Sequence, residues 1–131
     1  MIYEESVRTP AAQCFVDVTH LVAKAVKASG MTDGHILVSV PHTTAALTIN
    51  ENADPAVVSD MLRRLEQAFP THDPADRHAE GNSHAHVKSS LLGTCHSFIV
   101  SGGALVLGTW QGIYLCEFDG PRTRRLVVST G

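Results

Sequence analysis

The chain has 131 residues, of which 44% are hydrophobic and 18% are charged, and its formal net charge is −3 with the histidines neutral. This length fits one domain, so we expect a single domain over residues 1–131. The hydrophobic fraction suffices for a core and excludes a disordered chain. The acidic balance argues against a general nucleic-acid-binding surface.

No apolar run approaches the roughly 18 residues that a membrane helix needs. The opening segment, MIYEESVRTP, lacks the apolar centre of a signal peptide. The three cysteines, Cys14, Cys95 and Cys116, are odd in number and widely spaced, which favours free thiols over a disulfide framework. The sequence therefore predicts a cytoplasmic protein that binds neither membrane nor nucleic acid.

The first half of the chain is predicted to form four short strands and two helices. The first helix is capped by Asp17 or Thr19 and ends at Gly30. Asp54-Pro55 begins the second helix, since a capping carboxylate precedes a proline at the first helical position. Short β-prone runs predict strands over residues 2–7, 13–18, 35–40 and 44–49.

The second half begins with a polar loop, residues 71–81, followed by a short helix that Asn82 or Ser83 can cap and Gly93 can end. Hairpin turns are predicted at Gly102-Gly103 and at Asp119-Gly120. Because the strands mostly separate from the three helices, we expect an α+β fold with mixed or antiparallel sheets. The remaining predicted strands are residues 97–101, 104–107, 112–118 and 124–129.

Eight histidines is a high count for this length, and the first of interest is His42, which follows a predicted strand and precedes two threonines. Glu51 lies at the next strand-to-helix junction. Imidazole and carboxylate groups together can bind a divalent ion or exchange protons with a substrate. Asp54 is better explained as the helix cap. The pattern therefore predicts catalytic roles for His42 and Glu51.

A second histidine stretch contains His84 and His86, two positions apart. Such residues share a face in an extended segment and point apart in a helix, so both can hold one metal only if the helix begins at about His86. With an earlier helix start, free backbone N–H groups, Lys88 and Ser89 would suit a phosphate. The alternative is a capped surface helix with incidental histidines.

Two later segments add candidate binding groups. In GTWQG, Gln111 can orient a polar group while Trp110 covers an aromatic ring, or the segment can be a bulged β-corner with Trp110 in the core. Near the end, Arg122 and Arg124 share one strand face and Arg125 lies opposite. This basic cluster would suit a phosphate or an intersubunit carboxylate, or it can be an exposed edge strand.

Taken together, PHTTAALTINENADP, GNSHAHVKSSLLG, GTWQGIYLCEFDGPR and RRLVV resemble the YjbQ family, also called the secondary thiamine-phosphate synthase family. The resemblance covers essentially the whole chain. It implies a compact α+β homotrimer with clefts near subunit boundaries, which can make thiamine phosphate from a pyrimidine diphosphate and a thiazole phosphate. The matching motif residues are His42, Asn50, Glu51, Asn52, Asp54, His86, Lys88, Ser89, Trp110, Gln111 and Arg125.

The leading hypothesis is a metal-assisted transferase acting on small phosphorylated heterocycles, with His42, Glu51 and His86 as catalytic residues. A divalent metal ion, zinc or magnesium, would be held by His42, His86 and, if the helix starts late, His84. The alternatives are a metal-dependent phosphate-ester hydrolase and a non-enzymatic metal- or ligand-binding protein. The predicted substrate- and phosphate-binding residues are Asn50, Asn52, Lys88, Ser89, Trp110, Gln111 and Arg125.

Overall fold

Residues 1–131 are all described by a computed structural model, which contains three helices and eight strands. The longest helix has 14 residues, and no helix is both long and apolar enough to cross a membrane. In chain order the elements are β1 (Ile2–Arg8), β2 (Cys14–Asp17), α1 (Thr19–Ser29), β3 (Gly34–Ser39), β4 (Ala45–Glu51), α2 (Pro55–Ala68), α3 (Ser83–Leu92), β5 (Cys95–Ser101), β6 (Ala104–Leu105), β7 (Gln111–Glu117) and β8 (Thr123–Ser129).

The strands form two sheets, and every pairing within them is antiparallel. The larger sheet has the order β1-β8-β3-β5-β6, and the smaller has the order β2-β7-β4. The predicted α+β fold with antiparallel sheets and three helices is confirmed.

The smaller sheet is buried on both faces, which explains why β7 is apolar along most of its length. Successive side chains of a strand point to opposite faces. Ile113 and Leu115 therefore pack in the main core with the larger sheet and α1, whereas Tyr114 and Cys116 pack in a second cluster beneath α2 and α3. The helices α2 and α3 thus form an outer layer over the smaller sheet.

Some of the predicted turns and helix caps are confirmed, and others are wrong. Asp54 caps α2 by accepting the Ala56 N–H, and Gly102-Gly103 joins the paired strands β5 and β6. The hairpin predicted at Asp119-Gly120 is wrong, because β7 and β8 belong to different sheets and the chain crosses between them there. The predicted side-chain cap of α3 is also wrong. Asn82 occupies the N-cap position without a capping bond, and Ser83 is already helical.

A buried ion pair joins the two sheets where β7 passes to β8. The side chains of Glu117 and Arg124 are only 0% and 5% exposed. Arg124 donates through two nitrogens to the carboxylate, and also to the hydroxyl and carbonyl of Thr44. Burial raises the pKa of Glu117, but hydrogen bonds from Arg124 and Thr9 outweigh it, so the pKa lies below its ordinary value.

A second buried charge anchors α3. Lys88 is fully buried, and its Nζ lies 2.9 Å from Glu66 Oε1, 3.1 Å from Gln13 Oε1 and 2.8 Å from His84 Nδ1. Because an ammonium group only donates, Nδ1 of His84 must accept. Burial and then the Lys88 charge lower the pKa of His84, which keeps that imidazole neutral. This network ties α3 to α2 and to the segment before β2.

Replacing Arg124 by Met should lower the free energy of unfolding by about 3–5 kcal/mol, because Glu117 would stay buried without its partner. Urea denaturation measures the change. Arg125→Met is the matched control, since that neighbouring guanidinium is exposed and pairs with an exposed Glu4; we expect a loss of at most about 1 kcal/mol. Equal losses in the two variants would contradict the importance of the buried pair.

The depressed pKa of His84 predicts that acid destabilises the fold. The unfolded chain, with a histidine pKa near about 6.5, binds a proton before the folded chain does, so stability is complete above that pH and is lost as pH falls through the folded pKa. Melting temperatures measured at about pH 7.5 and about pH 5 should therefore differ less in His84→Gln than in the wild type. His20→Gln, at an exposed position of α1, should keep the wild-type difference. An unchanged pH dependence in His84→Gln would refute this origin.

Candidate functional site

The site begins where β3 ends. β3 pairs with β8 only as far as Ser39, and continuing the same register would place Pro41 opposite Arg125. A proline has no N–H to donate, so the ladder stops and the chain turns. The imidazole of His42 then replaces the missing strand partner: its Nε2 accepts the backbone N–H of Arg125 at 2.8 Å. The sheet itself therefore positions the His42 ring.

This contact determines the protonation of His42. A nitrogen that accepts an N–H cannot carry a hydrogen, so the ring hydrogen lies on Nδ1. Burial lowers the pKa of His42 below its ordinary value, and the charge of Arg124 lowers it further. At neutral pH, His42 is therefore a neutral side chain whose free Nδ1–H can donate to a ligand.

His86 faces His42 across a cleft of about 300 Å³. On α3, Ser89 and Ser90 lie three and four residues after His86 and share its helix face. No hydrophobic residue lines this cleft, which suits a polar or anionic ligand. Its lining is formed by His42, Thr43, His86, Ser89, Ser90, Gly93 and Thr94.

A wider cleft of about 470 Å³ adjoins the first and shares three of its residues. The loop residue His78 reaches it, with its ring edge-on to that of His86 and the ring centres 5.6 Å apart. His78 belongs to the polar loop predicted over residues 71–81, and nothing in the sequence of such a loop specifies where one side chain lies. The lining comprises Pro41, His42, Thr43, Thr44, His78, Glu80, Asn82, His86, Asp119, Arg122 and Arg124.

Two predicted ligands on α3 lie away from these clefts. Lys88 lies on the buried side of the helix, where its ammonium group is bonded to Glu66. It is therefore not available to a phosphate bound in either cleft. His84 is also buried there, 2.8 Å from the Lys88 ammonium. Because the helix already begins at Ser83, His84 and His86 point in different directions, as helical geometry requires.

The predicted residues around Glu51 form a separate group at the far end of β4. That strand has seven residues, so its two ends lie about 20 Å apart. The polar side chains there bond locally: Asn50 Oδ1 accepts the Glu51 N–H, Glu51 Oε2 accepts the Asp54 N–H, Asn52 Nδ2 donates to Asp17, and Gln111 Oε1 accepts the Gly108 N–H. Within one copy of the chain, this group and His42 therefore do not form a single site.

Trp110 belongs to the same far group and is 64% exposed, so the alternative of a core position is wrong. Gly112 allows the Asn52 side chain to approach its backbone closely, because a Cβ on Gly112 would lie 2.6 Å from Asn52 Nδ2. The turn therefore presents an aromatic ring to its surroundings.

The predicted basic cluster is divided among different partners. The Arg125 guanidinium lies 2.6 Å from Glu4, so only its backbone N–H reaches the site. Arg124 is committed to Glu117. Arg122 donates to the carbonyl and carboxylate of Asp119, and it lines the wider cleft.

The predicted metal set of His42, His84 and His86 does not fit this geometry. No three His, Cys, Asp or Glu side chains of the chain are grouped so that they could hold a metal ion. His84 lies on the other side of α3, and Nε2 of His42 already accepts an N–H. The arrangement offers the Nδ1–H of His42 and the hydroxyl groups of Thr43 and Thr94 as hydrogen-bond donors around a polar cleft.

Comparisons with known proteins identify relatives along the full chain. The family described as UPF0047 protein YjbQ-like matches residues 3–130. UPF0047 protein YugU of Bacillus subtilis is 50% identical over 128 residues, which cover 98% of this chain and 97% of YugU. UPF0047 protein MJ1081 of Methanocaldococcus jannaschii is 44% identical over 128 residues, covering 98% and 92% of the two chains.

Solved structures agree with these sequence relatives. The crystal structure of an uncharacterized YjbQ/UPF0047-family protein from Clostridium acetobutylicum gives a TM-score of 0.95 at 52% identity, covering 97% of this chain and 98% of that one. A YbjQ-like protein of unknown function from Sulfolobus solfataricus gives 0.93 at 34% identity, covering 98% and 94%. The chain therefore belongs to the YjbQ (UPF0047) family, as its motifs indicated.

Proposed function

We propose that the cleft between His42 and His86 binds a phosphorylated heterocycle and catalyses a thiamine-phosphate-synthase-like coupling. In this reaction a pyrimidine diphosphate and a thiazole phosphate join with loss of diphosphate. The observation that carries the proposal is that His42, in the connection between β3 and β4, and His86, on α3, line the same two clefts, and no hydrophobic residue lines either cleft. Such a lining is unlike the mostly apolar pockets that bind uncharged organic ligands.

For this reaction the protein has mainly to supply hydrogen-bond donors in fixed positions around the departing diphosphate. The bond between the pyrimidine methylene carbon and the diphosphate oxygen breaks, and its electron pair leaves with the diphosphate. The lone pair of the thiazole nitrogen forms the new carbon–nitrogen bond. Negative charge grows on the departing oxygen, and preorganised donors aimed at it lower the barrier.

His42 and His86 are assigned to that departing group. The free Nδ1–H of His42 donates to a diphosphate oxygen, and its ring is held by the Arg125 N–H during the reaction. His86 gives a second hydrogen bond or a proton from the opposite wall. Thr43 and Thr94 line the same cleft, and their hydroxyl groups can bind the remaining phosphate oxygens.

In this proposal the divalent ion expected from the sequence binds to the diphosphate of the substrate and not to a site formed by the protein alone. Mg²⁺ takes phosphate oxygens and water as ligands more readily than an all-protein cage. A magnesium ion that accompanies the diphosphate therefore needs no three-residue site in the chain. It would supply charge neutralisation of the leaving group.

The homotrimer implied by the family resemblance stays a prediction, and one feature supports it. Glu51, Trp110 and Gln111 match the family motif but lie about 20 Å from the His42 end of β4. We propose that these residues complete the cleft of a neighbouring copy, where the exposed ring of Trp110 covers the heterocycle.

His86→Gln should lower the rate of diphosphate release from the two thiamine precursors by about 100-fold or more, the usual contribution of a positioned acid or base. A coupled diphosphate assay measures the rate. His35→Gln is the matched control, since His35 lies exposed on β3 outside both clefts, and it should retain the wild-type rate.

Two outcomes would contradict the coupling reaction. If the wild type releases diphosphate no faster than His86→Gln does, the proposed transferase activity is wrong. Phosphate or diphosphate release from the pyrimidine substrate in the absence of the thiazole phosphate would instead identify a hydrolase.

A further inference from the structure

A third histidine, His78, reaches the wider cleft from the loop between α2 and α3. His42 and His86, to which the proposed function assigns the departing group, line the same cleft. The plane of the His78 ring lies at 80° to that of His86, with the ring centres 5.6 Å apart. This is the edge-to-face arrangement that pairs of aromatic rings favour. Imidazoles from three separate segments of the chain therefore surround one polar space.

The carboxylate of Glu80 lies where it can hold the His78 ring. Its Oε1 is 3.9 Å from His78 Nε2, and its Oε2 accepts from Asn82 Nδ2 at 3.4 Å. In enzymes, a carboxylate beside a histidine commonly fixes the orientation of the ring. We refer to His78 and Glu80 as the loop pair. Both members of the loop pair line the wider cleft.

The segment that carries the loop pair is attached to the framework at both ends. At one end, Asn82 donates to Asp119 Oδ2 at 2.8 Å, in the connection between β7 and β8. At the other end, the N–H and the hydroxyl of Thr71 donate to the carboxylate of Glu66 on α2. Residues 72–80 between these attachments are exposed. The loop pair is therefore held over the cleft by fixed ends and not by burial.

We infer that His78 is a third catalytic residue of this site and that Glu80 is its positioning residue. The His78 ring forms a hydrogen bond to the bound ligand beside His86, through the nitrogen that faces away from Glu80. A group held in a fixed place before the reaction stabilises the transition state without reorganisation. This inference rests on the proposed function for the location and the reaction of the ligand, and it adds two residues to that machinery.

The first test is the rate of diphosphate release by His78→Ala. We expect kcat to fall by about 100-fold while KM changes by less than about threefold, since the lost contact acts in the transition state. His72→Ala is the matched control, because His72 is exposed on the same loop and lines neither cleft. The melting temperatures of both variants should equal that of the wild type, because both side chains are exposed. A wild-type kcat in His78→Ala overturns the inference.

A double-mutant cycle tests whether Glu80 acts through His78. Glu80→Ala should lower kcat by about tenfold in the wild type and by less than about twofold in His78→Ala, because a positioning residue has nothing to position once the ring is gone. Asp76→Ala, at another exposed carboxylate of the same loop, should leave kcat unchanged in both backgrounds. Equal losses from Glu80→Ala in the two backgrounds would show that Glu80 does not position His78.

Binding of inorganic diphosphate distinguishes failure of this inference from failure of the proposed function. In NMR spectra of the histidine rings, diphosphate should shift the signals of His78 together with those of His42 and His86, and leave those of His72 in place. Shifts of His42 and His86 without a shift of His78 overturn the inference alone. If none of these rings responds to diphosphate, both the inference and the proposed function are wrong.

Discussion

The buried pair of Arg124 and Glu117 is the interaction on which the geometry of the site depends. It joins the two sheets and binds Thr44, the last residue of the segment between β3 and β4. The residue after Arg124 then offers its backbone N–H to His42. Removing one partner of a buried ion pair leaves the other charge buried without compensation, so the two groups are held together. In this protein the pair thereby also positions the strand residue that holds the candidate catalytic ring.

The opposite wall of the cleft depends on a second buried charge. Lys88 anchors one side of α3 to Glu66, which leaves His86 and Ser89 on the side of the cleft. One wall is therefore built on a packed helix, and in the other the His42 ring is held by its bond to the backbone of β8, as a site that aims donors at a departing group requires. Two buried side-chain atoms beside this framework, Asn82 Oδ1 and Ser89 Oγ, have no hydrogen-bond partner in the protein.

The order and type of the helices and strands could be predicted because caps, prolines and β-prone runs are local signals. The hairpin at Asp119-Gly120 failed because a turn dipeptide does not report to which sheet the next strand belongs. Lys88 resembled a phosphate ligand in the sequence, yet tertiary packing uses it for Glu66 and Gln13. The distance between Glu51 and His42 could likewise not be predicted from their sequence motifs, because it depends on the length and direction of β4 in the fold.

The most direct measurement is the long-range proton–nitrogen NMR spectrum of the histidine rings at neutral pH, recorded with and without inorganic diphosphate. We expect His42 to be neutral with its hydrogen on Nδ1, and the ring nitrogens of His42 and His86 to shift on addition of diphosphate while those of His84 do not. A hydrogen on Nε2 of His42 in the free protein, or diphosphate binding that leaves both rings unchanged, would contradict this site.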